Sequence, residues 1–95
     1  MTSVFIRHRV SDYNAWRPEF DKAVKSDWAT GIRSYRVWRG TDDPNLLIVV
    51  NAFDSRQAAE AVMNNPALRE AMGRGGVIAS SVQIDFVDEV AAGSQ

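Results

Sequence analysis

The sequence predicts an α+β fold: one antiparallel four-stranded sheet with helices packed against a single face. Three observations carry that prediction. Side chains alternate at period two near both ends of the chain, through Val4, Ile6, His8 and Val10 and again through Val82, Ile84 and Phe86. After the first of these runs, Tyr13, Trp16, Phe20, Ala23 and Val24 recur at spacings of three and four, which is one helical stripe. In the middle, the turn formers GTDDPN (40–45) separate two strand-like runs. The chain has 95 residues, 45% apolar and 24% charged, which suits a single domain with one modest core. That domain is expected over residues 1–90, followed by a disordered tail, 91–95.

The first strand runs from Ser3 to Val10. Ser11 and Asp12 are good helix-start residues, and Pro18 lacks an amide donor, so a short opening turn over Asp12–Trp16 and a helix proper from Arg17 are expected. Gly31 is placed to end that helix in a left-handed conformation. Ile32–Arg39, rich in aromatic and branched residues, reads as the second strand. Leu46–Phe53 is apolar on both faces except at Asn51, so it reads as a central third strand covered on both sides. Asp54 and Ser55 can cap a second helix through Met63, and Asn64-Asn65-Pro66 breaks it. A short third helix, Pro66–Met72, ends at GRGG (73–76), and the fourth strand lies within Val77–Val90.

The order strand, helix, strand, strand, helix, strand, with the second helical segment in two pieces, is the split βαβ arrangement of the ferredoxin-like plait. In that arrangement Phe5, Arg7 and Arg9 share a face that the helices of the same chain cannot reach. A two-fold dimer packing sheet against sheet would bury it. Pairing of the first and fourth strands is expected to set Arg7 against Asp85 and Arg9 near Gln83, an ion pair with a structural role.

Three segments carry a resemblance to a known family. VSDYNAWRPEFD (10–21), YRVWRGTDDPNLLIVVNAFDS (35–55) and NPALREAMGRGGV (65–77) resemble the dimeric α/β-barrel superfamily, near the antibiotic biosynthesis monooxygenase type. The resemblance spans nearly the whole chain. It implies a homodimer whose two sheets close an eight-stranded barrel, with a pocket between sheet and helices in each protomer. Similar folds serve cofactor-independent oxygenases of phenolic polyketides, polyketide cyclases, lactone isomerases and haem-degrading enzymes, so it leaves the chemistry open. Haem-degrading relatives bind iron through a histidine on a later helix, and PALREAM (66–72) has none.

His8, the single histidine, shares a strand face with Val4 and Ile6. It is the candidate general base, and the alternative is a half-buried imidazole bonded to the first helix near Tyr13 or Trp16. Asn51 is the one amide in an aliphatic strand. It could orient a substrate oxygen near His8, or it could satisfy a backbone group at a bulge. Trp16, Phe20 and Trp28 on the first helix, with Tyr35 and Trp38 on opposite faces of the second strand, are the candidate substrate-binding aromatics. The simpler reading makes them core.

No cysteine is present, which excludes thiolate chemistry and disulfides, and one histidine is too few for an ordinary transition-metal site, so no metal and no cofactor are expected. GRGG lacks both the dinucleotide spacing and a P-loop lysine. A net charge of −1 and the absence of an RNA-binding aromatic motif argue against nucleic acid. Arg7 and Arg9 interrupt the apolar stretch a signal peptide would need, and no run approaches a membrane span, so a cytoplasmic protein is expected. The function expected is a small cofactor-independent enzyme, monooxygenase or cyclase, acting on an aromatic or polyketide-like molecule in a homodimer. The competing expectation is a non-catalytic dimer that binds a hydrophobic ligand or another protein.

Overall fold

A computed structural model describes residues 2–95; Met1, the first residue of the expected domain, lies outside the described residues. The elements are β1 (Thr2–Arg9), α1 (Tyr13–Val24), β2 (Ser34–Arg39), β3 (Leu46–Phe53), α2 (Arg56–Met63), α3 (Pro66–Arg74) and β4 (Gln83–Asp88). One antiparallel sheet has the order β2-β3-β1-β4. The two central strands are therefore β1 and β3, as the plait requires.

Period-two alternation sorts the sheet into cross-strand rows. On the helix-covered face lie the rows Leu47–His8, Val37–Val49–Ile6–Ile84 and Tyr35–Asn51–Val4–Phe86. On the other face lie Trp38–Ile48–Arg7–Gln83 and Arg36–Val50–Phe5–Asp85. Leu47, Val49 and Phe53 are buried while their neighbours Leu46, Ile48 and Val50 are half-buried, so within one chain only one face of β3 is fully covered. The core joins that face to Trp16 of α1 and to Ala59, Val62 and Met63 of α2.

Several expectations are corrected by tertiary context. Helix α1 is continuous through Pro18, with no separate opening turn. Asp12 caps it by accepting from the Asn14 amide at 3.0 Å, and Pro18 removes one backbone bond at a cost of about 3 kcal/mol. Burial of Trp16 and its stacking on Phe20 at 4.7 Å hold the turns on either side together. The helix ends at Val24, and a 3₁₀ turn, Asp27–Ala29, follows it. Gly31 is not left-handed; among the described residues the one positive φ belongs to Gly76, at 76°. A Cβ there would lie 2.6 Å from Ser11 Oγ, so the end of the GRGG segment must be glycine.

The pairing of β1 with β4 is also two residues away from expectation, because Phe5 faces Asp85 and Arg7 faces Gln83. The expected Arg7–Asp85 ion pair is absent, and Arg9 bonds Asp43 in the β2–β3 turn instead. A 3₁₀ turn, Ala79–Ser81, takes up the residues that would have started β4 earlier. Residues 89–95 carry no regular structure and are exposed. Among the described residues no helix is long and apolar enough to cross a membrane.

Candidate functional site

Between the covered face of the sheet and the three helices is a cavity of about 60 Å³, room for a few water molecules as it stands. The sheet contributes Ile6, His8, Val49 and Asn51, α1 contributes Trp16 and Phe20, the 3₁₀ turn contributes Trp28, and α2 and α3 contribute Met63 and Met72. Apart from His8 and Asn51, the one polar side chain on the wall is Glu19, which pairs with Lys22 at 3.6 Å and with Arg74 of α3 at 3.7 Å. Glu19 was not among the candidates read from the sequence. Its i,i+3 spacing to Lys22 reads as an ordinary solvated helix face, and only the packing of α3 brings Arg74 to it.

His8 is 3% exposed and Asn51 is 5% exposed, the two buried polar residues of the core. Neither His8 Nδ1 nor Asn51 Oδ1 has a hydrogen-bond partner. A buried polar atom left unpaired costs about 1–3 kcal/mol, so two of them on one cavity wall are expensive unless something fills the space between. Burial pushes the His8 pKa below the usual imidazole range, offset in part by its own main chain. The ring is therefore neutral at pH 7, the form that can accept a proton. Its edge packs against Trp16, with ring centres 6.0 Å apart.

The expected closeness of His8 and Asn51 does not hold. Asn51 pairs across from Val4 and His8 from Leu47, so they share a face but stand four residues apart, about 13 Å along the strands. Ile6 and Val49 form the apolar row between them. Both side chains nonetheless line the same cavity, reaching it from strand positions four residues apart.

The structure brings Trp16, Phe20 and Trp28 to this cavity but not Trp38. Trp38 sits in the outer row with Ile48 and Arg7 and is 48% exposed, so the expectation that it shapes the pocket is corrected. Tyr35 shares the inner face with Asn51 and meets Phe20 edge-on at 5.3 Å, yet it lies beyond the cavity wall. Strand parity had separated the two aromatics; which one faced inward depended on register. At the other end, Gly75 lines the cavity, and a Cβ on it would stand 3.0 Å from Trp16 Cδ1, so the turn after α3 braces the indole.

A ferredoxin-like antiparallel sheet with helices on one face and a largely apolar cavity between them defines the class as small α+β plait proteins. Within that class the chain belongs to the antibiotic biosynthesis monooxygenase family, whose sequence profile matches residues 4–74. Solved structures bearing the family's name share the fold at low identity. One from Chloroflexus aurantiacus J-10-fl is 17% identical, with a TM-score of 0.69 over 99% of this chain and 98% of that one. Another, from Bordetella bronchiseptica, is 11% identical, with a TM-score of 0.76 over 95% and 97%. A third, from Deinococcus radiodurans, is 16% identical, with a TM-score of 0.70 over 100% and 98%. No functionally curated protein matches the sequence.

Proposed function

We propose that this protein is a small cofactor-independent enzyme, of monooxygenase or cyclase type, that acts on an aromatic or polyketide-like molecule in the cavity between sheet and helices. The observation that carries the reading is the pair of unsatisfied buried atoms, His8 Nδ1 and Asn51 Oδ1, on the wall of one largely apolar cavity. A cavity that served packing alone would be more stable with apolar residues at both positions. In the proposed reaction, neutral His8 takes a proton from a hydroxyl or an activated carbon acid, and Asn51 holds a second oxygen. Trp16, Phe20 and Trp28 shape the apolar space. In the monooxygenase form, the resulting carbanion delivers electrons to dioxygen. One oxygen atom becomes the new carbonyl and the other leaves as water with the two hydrogens lost by the carbon, so no external reductant is needed.

The outer face supports a homodimer as part of the same proposal. Phe5 is 42% exposed in a row whose ends are Arg36 and Asp85. A second copy related by a two-fold axis can bring each end against its opposite while covering Phe5, Val50 and Trp38. The proposed setting is the cytoplasm. The test is oxygen uptake and product mass with a panel of hydroxylated aromatics, comparing wild type with His8→Ala and Asn51→Leu. Product gaining one oxygen and losing two hydrogens, or a ring-closed isomer, with turnover lost in folded His8→Ala, supports the reading. Tight binding of the aromatics with no conversion would overturn it in favour of a ligand-binding dimer.

A further inference from the structure

The cavity is too small, as it stands, for an aromatic ring. Its volume is about 60 Å³, whereas an apolar cavity of about 150 Å³ is the size that holds benzene. One wall must therefore move to admit a ring, and the walls are not equally fixed. Ile6, His8, Val49 and Asn51 belong to the two central strands, each paired with a neighbour on both sides. Helix α1 is pinned by buried Trp16, and α2 by buried Ala59, Val62 and Met63. Helix α3 buries only the small side chain of Ala71, while its larger apolar residues on the cavity wall, Leu68 and Met72, are half-buried. The element that buries the least apolar surface opens at the least cost.

The seam between α1 and α3 is also where the cavity meets water. Glu19 lines the cavity from α1 with its side chain 26% exposed, so a solvated carboxylate interrupts the apolar wall there. Its partner across the seam is Arg74, the last residue of α3, at 3.7 Å. Among the described residues no other ion pair joins the two helices. At that distance the pair is an ionic contact longer than a hydrogen bond, and it parts easily. Just beyond it Gly75 packs against Trp16, where a Cβ would stand 3.0 Å from the indole, which fixes that end of α3.

We infer that α3 is the movable wall of the site: it swings away from α1 about its fixed end at Gly75, the Glu19–Arg74 pair parts, and a ligand enters between the two helices. The inference rests on the reading of this cavity as the ligand site. It gives Glu19 and Arg74 a role in how fast a ligand enters and leaves.

The experiment joins hydrogen exchange, read by mass spectrometry, with stopped-flow binding of 4-methylphenol followed by tryptophan fluorescence. In the wild-type protein the amides of α3 should exchange faster than those of α2. Glu19→Gln and Arg74→Gln should each speed α3 exchange by about 2- to 5-fold with α2 unchanged, and raise the association rate of the phenol by the same factor. Arg56→Gln, which breaks the Arg56–Glu60 pair on α2, should leave both α3 exchange and the association rate as they are. Exchange in α3 no faster than in α2, or an association rate that neither Glu19→Gln nor Arg74→Gln changes, would overturn the movable wall and leave the site reading standing. No binding of the phenol to any form would overturn the site reading, and the exchange comparison would then decide the wall by itself. Should a variant fold poorly, 1 M salt screens the same pair in the wild-type protein and should speed α3 exchange relative to α2.

Discussion

The two faces of the sheet come from the same four strands, yet they solve opposite problems. The inner face is sealed by helices and keeps two polar atoms without partners at His8 and Asn51. The outer face leaves Phe5 and Trp38 in water and surrounds them with Arg7, Arg36 and Asp85. Unpaired polar atoms inside and uncovered apolar groups outside are each unfavourable for a lone chain. The comparison teaches that each face is incomplete for a lone chain, with polar atoms lacking partners inside and apolar groups lacking cover outside, and the proposed ligand and second copy would complete them.

The largest effect should come from breaking the sealed face. Phe53 is fully buried at the end of β3, and Phe53→Ala should cost about 3–5 kcal/mol in urea unfolding. Replacing an unpaired atom should do the opposite. Asn51→Leu should raise stability by about 1–3 kcal/mol in the same assay while weakening ligand binding; a loss of stability would mean that the amide is satisfied in solution.

The His8 imidazole sharpens the comparison through pH. Its folded pKa lies below the unfolded value near 6.5, so the unfolded chain binds the extra proton first as pH falls. Its contribution is constant above pH 6.5 and declines from there down to the folded pKa. Thermal melts at pH 5 and pH 7.5 should therefore differ more in wild type than in His8→Phe. Bound ligand should widen the gap in wild type if it needs the neutral ring. The smallest effect on the fold itself should be at the exposed face. Phe5→Ser should change unfolding in dilute solution by under about 1 kcal/mol, yet shift sedimentation toward a monomer if the outer face joins two copies.

Much of this fold was legible in the sequence. Leu46–Phe53 is a strand with the expected bounds, Ser55 caps α2 through its bond to the Ala58 amide at 3.1 Å, and GTDDPN makes the turn between β2 and β3. Such features depend on residues within one turn or one strand of each other, where periodicity and capping chemistry act directly. The candidate site was legible only in its parts. His8 and Asn51 stood out because a polar residue on an apolar face breaks a local pattern, and Trp16 and Phe20 because they share a stripe.

Composition and local spacing by themselves determined the element order, the inward face of β1 and the residues that could hold or move a proton. Tertiary structure alone decided the β1–β4 register, which left Arg7 without Asp85, and which face of β2 packs under the helices, which turned Trp38 outward. It decided the distance between His8 and Asn51, the arrival of Arg74 beside Glu19 and the survival of α1 across Pro18. The reason is physical: a strand pattern fixes which residues share a face, but sliding one strand by two residues preserves that pattern while moving every partner by about 7 Å. Only the packing of the whole core selects among those slides.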